Sequence, residues 1–523
     1  MPNALTIRRP HPIDLPVVEV EIVIVGAGFG GLGMGIQLLR QGITSFVILE
    51  RADDVGGTWR DNVYPGVACD VPSHLYSYSF RPKLDWSHFY ARGAEIHDYL
   101  RECVQEEGLR PHLRMRAEAL EMNWDDSSLR WQVRTPQAIY RCEMLVVSAG
   151  RLSEPRIPDI QGLESFPGPI FHSSRWDEHA ELAGKCIGVV GTGASAVQLV
   201  PHLAAVAEGL VLFQRSAPYV VPRSNRSYSE AEKRTFLRLP DSAARLRSRL
   251  FWKAEAGFAA RAESPEHIGR LRAQAVEHLE RQIADPVLRA QLAPDYSIGC
   301  KRVLLSDDFY PSLSSPGVVL EPSPLERING RTAIAANGAE HDIDVLVLAT
   351  GFQATTPPFA ERIMGSAGLR LSERWKNGMV SYASTSVSGF PNMFIINGPN
   401  ASLGHNSAIF MIEVQVRYIL KAIEYLHSTP YRMLDVDRDA EVKYVLELDH
   451  VGAATVWTQG GCDSWYIDPG SRRLTLIWPD FAYEFQNRLS QFTPADYRFR
   501  SFGDADNSAH HDGPLHIYRT EVQ

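Results

Sequence analysis

Short runs of consecutive apolar residues recur along the chain, and each ends at a glycine-rich or charged turn. Residues 21–25, Glu-Ile-Val-Ile-Val, have no polar alternation after Glu21, and residues 186–190, Cys-Ile-Gly-Val-Val, repeat the pattern. Such runs read as parallel strands buried on both faces. Residues 45–49, 210–213 and 393–396 read as further strands, and 145–150 as a strand closing on Ala-Gly. Between them the periodicity is helical: about residues 95–107, a stretch after His405 carrying Ile409, Ile412 and Ile419, and Leu271, Ala275, Leu279 and Ile283 at every fourth position. Helix starts recur between Ser224 and Pro294: Ser229-x-x-Glu232 as a capping box, then Ser264-Pro265 and Asp285-Pro286 as cap plus first-turn proline. The many arginines there read as a solvated helix face.

Both buried-strand runs open onto the same kind of turn. Gly26, Gly28 and Gly31 stand in G-x-G-x-x-G spacing, and Gly191, Gly193 and Ala196 in G-x-G-x-x-A spacing with Ser195 between them. Glycine serves a tight turn, close approach of backbone to a pyrophosphate and close helix–strand packing, and the helix start adds free N–H groups. The next strand of the first unit ends in Glu50, and that of the second in Arg215-Ser216, at the same offset from the first glycine. An acid suits a free ribose 2′-hydroxyl, whereas arginine and serine suit a 2′-phosphate. The two units therefore imply FAD in the first and NADPH in the second.

These patterns predict an α/β fold of two dinucleotide-binding, Rossmann-like domains with a helical insertion in the NADP domain. The expected boundaries are 1–155 for the first part of the FAD domain, 156–223 for the first part of the NADP domain and 224–300 for the insertion. Residues 301–380 would complete the NADP domain and 381–523 the FAD domain with a tail. Pro155 and Pro158 mark the first linker. A chain of 523 residues is too long for one core, which agrees with two to three domains.

Composition narrows the partners. A net charge of −9 and a pI near 6.0 argue against nucleic acid. Residues 22–39 are uncharged but glycine-punctuated, so strand–turn–helix fits them better than a membrane span. Met1 to Pro16 has no apolar core and does not read as a signal peptide, so a cytoplasmic enzyme without stable membrane insertion is expected. Six scattered cysteines with no CxxC speak for a reducing compartment, and against a zinc knuckle or a dithiol redox centre. The adjacent His510 and His511 make a poor metal site, and no metal is expected.

Further motifs carry a family resemblance. Residues 166–177 contain Phe166, Gly168, His172, Trp176 and Asp177 in the spacing Phe-x-Gly-x-x-x-His-x-x-x-Trp-Asp. Residues 56–70 hold Gly56-Gly57-Thr58-Trp59, Tyr64-Pro65-Gly66 and Asp70. The chain resembles the flavin-dependent Baeyer–Villiger monooxygenases that keep FAD and NADPH on one polypeptide. Related N- and S-oxygenating flavin monooxygenases usually carry Tyr where this chain has Trp176, which favours ketones. The resemblance implies Thr58, Trp59, Asp70 and Tyr76 beside the flavin, Lys301 assisting Arg215 at the 2′-phosphate, Arg302 in the active site and Trp465 toward the nicotinamide. It also matches Ala349-Thr350-Gly351 to the connection between nucleotide domains, and Asn397-Gly398-Pro399-Asn400 to a turn flanking the flavin. Read alone, Asp70 is equally a loop carboxylate held by backbone N–H groups, Arg215 a solvated strand-end charge and Arg302 a structural strand-entry cation. His405 reads better as a hydrogen-bonded loop histidine than as a flavin neighbour. Ile467-Asp468-Pro469 departs from the family's Thr-Gly-Ala-Asn, so the shape of the substrate loop does not carry over.

The implied reaction is NADPH- and O2-dependent conversion of a ketone to an ester or lactone through a flavin C4a-peroxide. Arg302 would be the electrostatic catalyst and Asp70 its positioner. A disulfide reductase would need a cysteine pair near the flavin, and no spacing in the sequence offers one. The protein is expected as a monomer or weak homo-oligomer.

Overall fold

The computed structural model describes residues 15–501 except Ser264, so the Ser264 cap, the start of the N-terminal segment and the His510-His511 tail lie outside the described residues. The first sheet has eight strands. At its centre Val17–Val25 pairs in parallel with Phe46–Leu49 on one side and Ile139–Val147 on the other. Met393–Ile395 joins Ile139–Val147 in parallel, bringing the C-terminal third of the chain back beside the first strand. The antiparallel hairpin of Glu121–Asp125 and Arg130–Arg134 extends this sheet.

The second sheet has five strands, all parallel, in the order Val318–Glu321, Gly209–Phe213, Cys186–Val190, Val345–Leu348, Ile170–His172. In each sheet the leading apolar run is buried and is followed by a helix, Phe29–Arg40 in one and Ala194–Ala204 in the other. The two first-glycine positions show why the turns have this sequence. Gly26 has φ +101° and a Cβ there would meet the Ser148 carbonyl at 2.4 Å; Gly191 has φ +107° and would meet that of Ala349 at 2.6 Å. Only glycine satisfies both demands.

The chain crosses between the units along two adjacent segments. Arg156 N–H donates to Gly351 O at 2.8 Å and Gln353 N–H to Glu154 O at 2.9 Å, so outgoing and returning strands are zipped together. The return comes earlier than the boundary at residue 380: Ile363–Met364 already pairs with Met122–Asn123 in the first sheet. That stretch is two residues long, too short to show a strand pattern in the sequence.

The insertion is helical as expected, with Glu230–Arg238, Pro240–Glu263, Pro265–Gln282 and Pro286–Gln291. Ser229 and Glu232 form the capping box, and Asp285 caps Val287 N–H. Ala275, Leu279 and Ile283 are buried. Pro240–Glu263 docks on the first unit. Arg247 donates to the carbonyls of His74 and Ser77, each at 2.9 Å, and the buried Glu255 accepts from Asn406 and from Ala482 N–H. Glu255 also meets His405 Nε2 at 3.0 Å, and the His405 ring stacks on Phe258. His405 is thus a hydrogen-bonded packing residue. Among the described residues, no helix is long and apolar enough to cross a membrane.

Cys300 and Cys462 form a disulfide across a sequence separation of 162, which corrects the reading of six unpaired cysteines. Spacing rules see only neighbours in sequence, and this pair is made by the fold. With it goes the cysteine argument for a reducing compartment.

Candidate active site

Asp70 and Arg302 arrive from opposite units. Asp70 ends the loop that begins at Gly56, and Arg302 precedes the short strand Leu304–Leu305, which pairs with Val220–Val221. Arg302 Nε donates to Asp70 Oδ2 at 2.6 Å across a separation of 232 residues. Their side chains retain 28% and 31% exposure, so the pair is walled on most sides and open on one. Burial pushes the Asp70 carboxyl up, but the charge and hydrogen bond of Arg302, with the Arg223 charge, hold it below the usual carboxylate range. Arg302 is raised, chiefly by the Asp70 charge. Arg302 therefore keeps its proton and one side free for an oxygen that gains negative charge.

The surrounding wall is aromatic. Trp59 Nε1 donates to Tyr76 Oη at 3.3 Å with the rings edge to face, and Phe29 meets Tyr76 edge-on. Thr58 opens the short helix Thr58–Asp61. The buried Tyr466 lies against Arg302. Burial raises its phenol, and the Arg302 charge and hydrogen bond partly counter that. Trp465 stacks on Tyr466 with centroids 4.6 Å apart and is 42% exposed. After it, Asp468 accepts from Ser471 N–H and Oγ, each at 2.7 Å, and closes a tight turn that replaces the family's loop.

The first glycine turn fits a dinucleotide. Gly28 faces Gly57, where a Cβ would come within 3.3 Å of the Gly28 Cα, so the two turns meet through bare backbone. Glu50 is buried and accepts from Ala27 N–H at 2.9 Å and Ala52 N–H at 3.0 Å, with Arg60 paired at 3.0 Å. It is held at the turn, where an adenosine ribose would lie. At the second turn a Cβ on Gly193 would point into open space at the start of helix Ala194–Ala204, beside Ser195 and Ala196. Lys301 Nζ donates to Ser216 Oγ at 2.8 Å and is lowered by burial and by the Arg215 charge. Two adjacent cations and a hydroxyl suit a phosphate dianion.

Gln198, on helix Ala194–Ala204, was not among the sequence candidates. Its Oε1 accepts from Tyr64 Oη at 3.0 Å and its Nε2 donates to Ala68 O at 3.0 Å, which clamps the Asp70 loop to the second unit. A glutamine in a helix carries no local signal, so only the contact reveals it. Tyr466 was likewise quoted only as part of a motif.

The fingerprint residues line no part of this pocket. Ile170–His172 is the edge strand of the second sheet, Phe166 is buried in its core, and a Cβ on Gly168 would meet Asp344 O at 2.0 Å. His172 Nδ1 accepts from Ser174 N–H, and burial pushes its pKa down to about 4. Trp176 packs edge to face on Phe171, and Asp177 accepts from His179 N–H. Among the described residues no group of three or more His, Cys, Asp or Glu could hold a metal.

Residues 23–231 match the family model described as pyridine nucleotide-disulphide oxidoreductase. A Baeyer-Villiger monooxygenase of Streptomyces coelicolor is 42% identical over 482 residues, 92% of each chain. One of Pseudomonas aeruginosa is 37% identical over 93% of each. Among solved structures, cyclohexanone monooxygenase from Rhodococcus sp. Phi1 bound to NADP+ superposes with a TM-score of 0.82 at 28% identity, covering 93% of this chain and 100% of that one.

Proposed function

The chain belongs to the Baeyer–Villiger monooxygenases, and from that membership we propose that its pocket inserts oxygen beside the carbonyl of a ketone, with Arg302 as electrostatic catalyst and Asp70 as positioning residue. FAD and NADPH are its cofactors; bound FAD, reduced by NADPH, supplies the oxygen-activating chemistry. The Gly26, Gly28 and Gly31 turn, Glu50 and the Thr58–Trp59 segment hold the first cofactor. The Gly191, Gly193, Ser195 and Ala196 turn holds the second, with Arg215, Ser216 and Lys301 on its 2′-phosphate.

The observation that carries this reading is the 2.6 Å pair of Arg302 and Asp70, made across the two units. Arg302 offers N–H donors and a fixed positive charge toward the place where the substrate carbonyl oxygen becomes anionic. Asp70 fixes the guanidinium plane and keeps the local charge balanced. Tyr466 closes the side of Arg302, and Trp59 and Tyr76 exclude water from the pocket floor. Trp465, on an exposed turn, is suited to cover the nicotinamide.

The test is NADPH consumption in air by the FAD-loaded protein against cyclic, linear and aryl ketones and one sulfide, with products weighed by mass spectrometry. Ester or lactone in proportion to NADPH supports the proposal. Sulfoxide alone would move the protein to the heteroatom oxygenases, and a whole panel returning only hydrogen peroxide would remove the ketone assignment.

A further inference from the structure

A second guanidinium is buried beside this pocket, and it has no counter-charge. Arg151 follows the strand Ile139–Val147 and is 8% exposed. Its hydrogen bond runs from Nη1 to the Leu476 carbonyl at 3.2 Å, and among the described residues no carboxylate pairs with it. Burial lowers its pKa to about 10, against a small opposing influence of the Tyr466 phenol. Its side chain lines a cavity otherwise walled by Phe359, Trp375, Met379 and Leu476, with Asn397 at one side. Tyr466 responds to both Arg302 and Arg151, so this cavity adjoins the Arg302–Asp70 pair.

The contrast between the two arginines is informative. Arg302 is neutralised by Asp70, so that pair is balanced. Arg151 adds one uncompensated positive charge inside an apolar wall. A buried charge is costly unless an anion meets it, and a guanidinium offers a planar fork suited to two oxygens. The formal anions of the two cofactors already have partners: the glycine turns for the pyrophosphates, and Arg215, Ser216 and Lys301 for the 2′-phosphate. The substrate is the remaining source.

We propose that Arg151 receives a carboxylate carried by the ketone, so that the preferred substrate is an oxo acid whose apolar body lies against Phe359, Trp375 and Met379. This rests on the monooxygenase reading above. Arg151 sets which ketone is accepted, and Arg302 serves the oxygen transfer.

The test uses the FAD-loaded protein and an oxo acid, its methyl ester and the matched methyl ketone, with the corresponding saturated acid as a non-reacting probe. Titration with the saturated acid, without NADPH, should raise Tm and perturb the flavin spectrum. Arg151→Met should weaken that binding about tenfold or more, and Arg151→Lys should retain part of it. The kcat/KM ratio of oxo acid to ester should collapse in Arg151→Met, mainly through KM. Without acid, Arg151→Met should be no less stable than wild type, because an unpaired buried charge has gone; a large fall in Tm would make Arg151 structural and overturn the proposal. It is also overturned if the saturated acid does not bind, or if Arg151→Met shifts the flavin midpoint potential while acid binding is unchanged. In that last case the anion served is the reduced flavin. Arg151-dependent acid binding without oxygenation of any ketone would keep the anion site and remove the monooxygenase reading instead.

Discussion

Arg302 carries its proton at any working pH, so its contribution depends on geometry, and the geometry depends on Asp70. Arg302→Ala should lower ester formation about 100- to 1000-fold, the scale of losing a preorganised oxyanion donor, while NADPH is still oxidised to release hydrogen peroxide. Ester and peroxide yields per NADPH check this directly. Asp70 also gives a pH signature. Its folded pKa lies below the ordinary carboxylate value, so its stabilising pairing is fully present above about pH 4 and is lost as pH falls through the lower folded value. Urea midpoints of wild type and Asp70→Asn should therefore differ at neutral pH and converge in acid; parallel curves would detach Asp70 from the pair. At the other cofactor, Arg215→Ala or Lys301→Ala should each raise the KM for NADPH about 10- to 100-fold and leave that for NADH nearly unchanged. An equal loss for both cofactors would mean that these cations do not read the 2′-phosphate.

Among the elements, the segment bearing Lys301 and Arg302 is short and irregular, and it is fixed from outside. The Cys300–Cys462 disulfide joins it to the segment that leads into Trp465 and Tyr466. Denatured protein should show four free thiols before reduction and six after, given the four unpaired cysteines of the structure. Closing so long a loop typically adds about 2–4 kcal/mol of stability, so a dithiol reductant should lower the denaturation midpoint visibly. Cys300→Ser should remove the reductant's effect. The helix Pro240–Glu263 offers a second case. Its charged surface predicts only a solvated helix, yet Glu255 on its inner face binds His405, Asn406 and the start of Ala482–Arg488.

The whole molecule depends on how the two nucleotide units face one another. Zipped crossings at Glu154–Arg156 and Gly351–Gln353 hold one seam, and the Gln198 clamp on Tyr64 and Ala68 holds another beside the pocket. Gln198→Ala should keep full FAD content but divert NADPH from ester to hydrogen peroxide, because the Asp70 loop would no longer be tied to the unit that carries Arg302. Unchanged coupling in that variant would assign the seam to the crossings alone.

The sequence by itself determined the two Rossmann-like units, their glycine turns, the acid at one and the cations at the other, and the capped helices of the insertion. These are legible because they rest on short-range stereochemistry: a positive φ, a helix cap or a β-branched run leaves its mark within a few residues. The tertiary structure alone decided the early return of the chain at Ile363, the Cys300–Cys462 bond, the Gln198 clamp, the approach of Tyr466 to Arg302 and the uncompensated burial of Arg151. Each is a contact between residues far apart in sequence, made by side chains whose types are common everywhere. What gives them meaning is burial and the identity of the neighbour, and both are set by the packing of the two units.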